Sequence, residues 1–290
     1  MKIKLTSFFG IAIAILCAPF FTSVASEPAR AADDDSAVVL RVMCYNIRWG
    51  RGMDDVYDLE RTANAIRAWN PDIVTIQEVD RGVERSGRVN QPKVLAEKLG
   101  MHYAFGKSIP HQGGEYGLLT LSRFPIVDYE MIHLRPHAPV ALEQRGLLTV
   151  RIAIPKAGGP GTESMIIRVS NTHLCHRVQE HRAEQFAMIN ERLSQGDEPV
   201  ILTGDFNARP SNELVERLVE TWIDTGCPEL GKHAIIGPGP LMRGYDRRID
   251  YIFLRPQDPF ELLEAGTIDD KITSDHEAIF IVVSILNPKP

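Results

Sequence analysis

The order of apolar runs predicts an α/β fold in which mixed sheets pack face to face with helices outside, an α/β sandwich. Three observations carry this. Strand-like runs and helical stretches interleave early in the chain. Strands then follow one another from 117 to 174. Gly, Pro or Asn punctuates the ends of most runs. The regular βαβαβ alternation of a doubly wound sheet is absent.

The first run, "AVVLRVMCYNI" (37–47), mixes β-branched residues with partial alternation and reads as a strand. A helix follows over 58–70, with Leu59, Ala63, Ile66 and Trp69 at helical spacing, Asp58 as its N-cap and Pro71 as its stop. "DIVTIQEV" (72–79) is the next strand. The helix over 91–100 has Pro92 in its first turn and Gly100 past its end. Strands follow at 117–123, 147–154 and 165–174, then the longest helix at 178–196. "PVILTGDFN" (199–207) is a strand leading into a helix over 211–221 capped by Ser211. Strands at 248–254 and 277–286 complete the set, and "PKAGGPGTES" and "GPGPLMRGYDRR" read as surface loops.

The N-terminus differs from the rest. Lys2 and Lys4 precede an apolar run from Phe8 to Phe21, and the small residues Ser23 and Ala25 follow. This is the layout of a secretory signal peptide over 1–25, cleaved after Ala25, and it implies a secreted or periplasmic protein. The run falls short of the roughly 20 residues that span a bilayer. Leu16 is too large for a lipoprotein signal at Cys17. Residues 26–37 read as a polar, disordered lead-in, and one domain covers 38–290.

The whole chain carries a formal charge of −6, and loss of Lys2 and Lys4 makes it more acidic still. Binding to a phosphate backbone relies on Lys and Arg displacing counterions, so a long nucleic-acid duplex is not the favoured partner. Cys44, Cys175 and Cys227 are too few and too widely spaced for a disulfide framework; at most one bridge forms, and Cys44 and Cys175 read as buried thiols.

Run after run ends in a residue able to bind metal or move a proton: Asn46, Glu78, His173, Asp205 with Asn207, Asp250, and Asp275 with His276. Each has an ordinary alternative. Asn46 suits a strand end, Glu78 an edge position paired with Arg81, and His173 a structural histidine. Asp205 and Asn207 suit a turn, Asp250 a salt bridge to Arg247 or Arg248, and Asp275-His276 a turn capped with help from Ser274. Together the alternatives weaken, because buried charges need partners and these residues would pair most readily with one another and with a cation. Oxygen ligands and few cysteines suit Mg²⁺, Mn²⁺ or Ca²⁺ better than zinc. No zinc, Gly-x-Ser-x-Gly or glycine-loop-lysine pattern is present.

The ordered pieces "YNIRWG", "VTIQEVD", "YGLLTLSRFPI", "NTHL", "LTGDFNARP", "RIDYIFL" and "SDHEAIF" resemble the endonuclease/exonuclease/phosphatase superfamily, the metal-dependent phosphoesterases related to DNase I, over about 40 to 284. The resemblance implies a four-layered α/β/β/α sandwich with two mixed, mainly antiparallel sheets and one site at their end. It implies Glu78 as principal metal ligand, with Asn46 and Asp275 nearby. Asp205 orients or deprotonates the attacking water, and Asn207 holds that water or a phosphoryl oxygen. His276, supported by Asp250, and His173 bind the phosphate. Spacing agrees on one point: Asp205 and Asn207 face the same way on an extended chain. Arg145 is a candidate phosphate contact, or a surface partner of Glu143. Tyr116 is a candidate pocket residue, and Glu115 or Tyr116 a support for His173. Cys175 and Leu118 replace the Asp and Asn common in small secreted members, which alters the pocket wall rather than the metal-and-water core.

The expected function is a secreted phosphoesterase dependent on Mg²⁺, Mn²⁺ or Ca²⁺, acting on a small or lipid-linked phosphodiester. An extracellular nuclease is the alternative, and a silent binding protein of the same fold the third reading.

Overall fold

The computed structural model describes residues 37–135, 143–156, 164–226, 247–255 and 259–286. Within them two six-stranded sheets form. The first runs β11-β12-β1-β2-β4-β3 and the second β5-β6-β7-β8-β10-β9. The strands are β1 Ala37–Asn46, β2 Ile73–Arg81, β3 His102–His111, β4 Gly114–Ser122, β5 Ile126–Leu134 and β6 Arg145–Pro155, then β7 Ser164–His173, β8 Val200–Asp205, β9 Ile223–Asp224, β10 Asp250–Arg255, β11 Phe260–Thr267 and β12 Ile279–Leu286. The helices are α1 Leu59–Trp69, α2 Gln91–Leu99, α3 Gln179–Leu193 and α4 Glu213–Leu218.

Three buried clusters mark three interfaces, hence four layers. Leu40, Val42 and Cys44 of β1 meet Val150, Ile152 and Val169 between the sheets. The alternate β1 residues Met43 and Tyr45 pack against Ala63, Ile66 and Leu95 of α1 and α2. On the other side Leu202 and Phe253 meet Phe186, Ile189 and Val215 of α3 and α4. Each strand thus sends successive side chains to opposite faces. Each fully buried Leu, Ile or Phe contributes about 1.5–3 kcal/mol.

Among the described residues only two neighbouring pairs are parallel, β1 with β2 and β7 with β8. A parallel pair needs a long crossover, and α1 and α3 supply it. The carboxyl ends of these four strands therefore meet at one end of the two sheets. That end carries Asn46, Glu78, His173 and Asp205.

β3, β5, β9 and β11 carry no run that the sequence reading picks out, and all four are sheet edges. One cap also differs. Asn212, not Ser211, caps α4, its side chain accepting from Leu214 N at 3.0 Å, and the helix ends at Leu218. Asp58 caps α1 as expected. Cys44 and Cys175 are buried and free. Cys227, the signal peptide and the lead-in up to residue 36 lie outside the described residues.

Candidate active site

Strand register assembles half of the site. His173 of β7 and Asp250 of β10 both pair with Asp205 of β8, so three functional residues stand side by side. Gly204 makes this possible. A Cβ there would lie 2.1 Å from Thr172 O, and its φ of +149° is one that L residues rarely adopt. Gly204→Ala is therefore expected to destabilise the fold by about 1–3 kcal/mol through overpacking, read as a lower denaturant midpoint.

Asp205 is the hub. Its Oδ1 accepts from Asn207 N at 2.9 Å and its Oδ2 from Asn46 Nδ2 at 3.2 Å. His173 Nε2 stands 3.4 Å and His276 Nε2 3.8 Å from Oδ2. Burial pushes the Asp205 carboxyl well above the carboxylate range, Asp250 adds to this, and His276, Asn207 N and Asn46 oppose it. His276 Nδ1 sits 2.8 Å from Asp250 Oδ2. Burial alone would lower this imidazole, but Asp250, by charge and hydrogen bond, with Asp205 and Asp275, carries it up to about 10. His173 goes the other way. Burial, then Arg145, His276 and His176, hold it neutral.

Asn207 donates one hydrogen of its Nδ2 to Leu174 O at 3.1 Å, which leaves its Oδ1 acceptor and its second Nδ2 hydrogen for a ligand. The amide can therefore meet either a water or a phosphoryl oxygen. Asn46 donates through Nδ2 to both Asp205 and Glu78 Oε1, each at 3.2 Å, while its Oδ1 accepts from Arg48 N. Its donor thus fills the interval between two carboxylates. To ligate a cation, Asn46 would have to turn its oxygen towards them.

Glu78 sits at φ +60° in a β-bulge, where β2 pairing jumps from Ile76 to Val79 while β4 advances from Leu119 to Gly117. Bulges of this kind re-aim side chains beside active sites. Burial raises its carboxyl, and Asn46, His276 and Arg145 offset this only in part. Among the described residues no cation forms an ion pair with it. A desolvated carboxylate with a single amide partner fits a divalent cation, the hard ion that oxygen donors prefer. A second grouping exists: Asp205, Asp250 and His276 offer ligand atoms within 4.8 Å of one another. His276 already spends Nδ1 on Asp250, so a proton satisfies that trio as it stands.

These residues open on a cleft of about 340 Å³. Glu78, His173, Asp205, Asn207, His276, Arg145 and Tyr116 line it. Asn46 and Asp250 support the lining through their hydrogen bonds. Asp275 is exposed, does not line the cleft, and lies 3.7 Å from Arg48 Nε. Arg145 pairs with Glu143 at 3.0 Å, but in the cleft wall where it is buried rather than at the surface. Glu115 does not support His173, because Arg81 at 2.6 Å and Lys107 at 3.4 Å hold it. That same pairing takes Arg81 from Glu78, which lies on an interior strand. Arg248 binds Asp224 instead of Asp250.

Sequence reasoning missed Arg85, His111 and His176 in the wall. Arg85 is fixed by two 2.9 Å bonds to buried Asp80 and lies 5.4 Å from the Tyr116 ring centre. His176 accepts from Arg145 at 3.1 Å. Its signal was available three residues after His173, but a lone histidine beyond a strand end invites no reading.

Comparison with known proteins agrees with this geometry. The chain is 30% identical over 185 residues to the protein YbhP of Escherichia coli (strain K12), covering 60% of this chain and 69% of that one. It is 24% identical over 222 residues to a 5'-tyrosyl-DNA phosphodiesterase of Caenorhabditis briggsae, covering 72% of this chain and 56% of that one. A crystal structure of an endonuclease/exonuclease/phosphatase from Beutenbergia cavernae superposes with a TM-score of 0.64 at 25% identity, over 86% of this chain and 72% of that one. A profile of the Endonuclease/Exonuclease/phosphatase family aligns with residues 43–276, nearly the whole described fold. The chain belongs to this family of divalent-metal-dependent phosphoester hydrolases.

Proposed function

We propose that the protein is a secreted phosphodiesterase, dependent on Mg²⁺, Mn²⁺ or Ca²⁺, that hydrolyses a small or lipid-linked phosphodiester by attack of a water oriented by Asp205. One observation carries this reading: Asp205, its carboxyl raised by burial, stands between a cationic His276 and the Asn207 amide at the wall of a cleft. A carboxylate poised nearer neutrality is a better proton acceptor than a solvated one. Asp205 takes the proton of the water as its oxygen bonds to phosphorus and the bond from phosphorus to the departing alcohol oxygen breaks; that oxygen takes a proton from the cationic His276, and Asn207 Oδ1 accepts the water's other hydrogen. His276, oriented by Asp250, faces the negative charge that gathers on the phosphoryl oxygens, and neutral His173 supplies a further hydrogen-bond donor. Arg145 adds a fixed charge in the wall. The bound cation, which Glu78 would hold with Asp275 nearby, supplies Lewis acidity at a phosphoryl oxygen.

Similarity to a 5'-tyrosyl-DNA phosphodiesterase supports a second reading, a diester with a nucleic-acid side. The acidic balance of the chain weighs against it. The N-terminal run with Lys2 and Lys4 supports export. The test is a substrate panel: p-nitrophenyl phosphate, bis-p-nitrophenyl phosphate, sphingomyelin and plasmid DNA, each with Mg²⁺, Mn²⁺, Ca²⁺ or EDTA. Metal-dependent turnover of the small or lipid diesters is expected, with none in EDTA. Fast plasmid nicking that weakens steeply with salt would favour the nuclease. Metal binding without turnover of any ester would overturn both.

A further inference from the structure

The apolar phase of β2 slips inside the site. Val74 and Ile76 pack towards the helices, and regular alternation would send residue 78 to that face next. Val79 takes the place instead. Gln77 and Glu78 together oppose the single residue Leu118, and Glu78 absorbs the extra residue at φ +60°. A left-handed conformation costs a side-chain-bearing residue about 1–2 kcal/mol, so something must hold it.

The neighbouring sheet supplies that support. Asn171 of β7 is fully buried and reaches across the interface. Its Nδ2 donates to Ile76 O at 2.9 Å and to Leu119 O at 3.0 Å, the two carbonyls that flank the bulge. Its Oδ1 accepts from Gln77 Nε2 at 2.7 Å. Gln77, also fully buried, turns the rest of its amide to Cys44 Sγ, 3.5 Å from Nε2. Every hydrogen of the Asn171 amide is committed to this one irregularity. Two residues further along β7, on the same face, His173 meets Asp205.

We propose that Asn171 and Gln77 are positioning residues: the amide pair locks the β2 bulge from the opposite sheet and so aims Glu78 into the cleft, in fixed relation to His173 and Asp205. The proposal rests on Glu78 being the carboxylate that holds the cation. Second-sphere partners of metal ligands are worth about 10- to 100-fold in affinity or activity.

The test compares Asn171→Leu and Gln77→Met with Val283→Ala, a core substitution in β12 away from the bulge. Mn²⁺ affinity is measured by calorimetry without substrate, and backbone amide exchange is followed over residues 76–80. Asn171→Leu is expected to weaken Mn²⁺ binding about 10-fold or more and to speed exchange locally, while Val283→Ala lowers stability and leaves Mn²⁺ affinity alone. Gln77→Met, which leaves the Asn171 donors in place, gives a smaller effect of the same sign and carries the test if Asn171→Leu does not fold. Where Glu78→Gln loses Mn²⁺, affinity within two-fold of wild type in a folded amide variant overturns the proposal, as does an equal loss in Val283→Ala. Faster exchange over 76–80 with unchanged Mn²⁺ affinity in both amide variants, together with unchanged affinity in Glu78→Gln, overturns instead the role of Glu78.

Discussion

Asp205→Asn protein is expected to turn over its phosphodiester about 10²- to 10⁴-fold more slowly, with KM little changed. A positioned base contributes on that scale to the chemical step, while an amide of the same shape still accepts from the Asn207 backbone N–H and gives up only the bond from Asn46. The fold should not suffer. Asp205 is a carboxylate disfavoured by burial and by Asp250, so the neutral isostere removes a buried charge from the metal-free protein. Melting temperature in EDTA is expected at or above that of wild type, with a gain of about 2–4 °C per kcal/mol recovered. A loss of activity together with collapse of the melting transition would mean that Asp205 is structural. Turnover within five-fold of wild type would remove it from the mechanism.

That trade of stability for chemistry bears on what the sequence made legible. Asp205, His173 and Glu78 could be read because each stands near the end of an apolar run, and His276 because it stands just before one; a polar residue placed there must find a partner. The eight strands read from periodicity are the eight interior strands, which are covered on both sides by neighbours. The four missed ones are the edges. β5 shows why: Val127 and Tyr129 are more than half exposed, and Asp128 and Glu130 alternate with them. An edge strand has less to bury and less apolar pattern to show. β3 and β11 carry Lys107, Pro110, Glu261 and Glu264, which blunt an edge and dilute the same signal.

Long-range polar packing was the other silent part. Nothing local marks Gln77 and Asn171 as partners, 94 positions apart, or Arg85 as fixed by Asp80. Yet one trace was present. Val74, Ile76 and Val79 break the two-residue period at the position where Glu78 must leave the sheet. A phase slip in a buried strand, with an acidic residue at the slip, is a local signal that a bulge aims a functional side chain.

Glu78→Gln separates the two places where a cation could sit. Wild-type protein at a metal concentration about 100 times Kd gains about 2.7 kcal/mol of stability. For a chain of this size that is a rise in melting temperature of about 5–10 °C. In Glu78→Gln this rise is expected to vanish, and metal-dependent turnover with it. In EDTA the order reverses. Burial raises the Glu78 carboxyl and no cation pairs with it among the described residues, so the amide is expected to melt at or above wild type when no metal is present. The sign change distinguishes a lost ligand from general damage, which would lower both values. If Glu78→Gln instead keeps the metal-induced rise, the ion sits on Asp205, Asp250 and His276, and Asp250→Asn should then abolish it. His276 could not then keep its Nδ1 bond to Asp250 as the sole tenant of that carboxylate, and the role assigned to the cationic imidazole would pass to the ion.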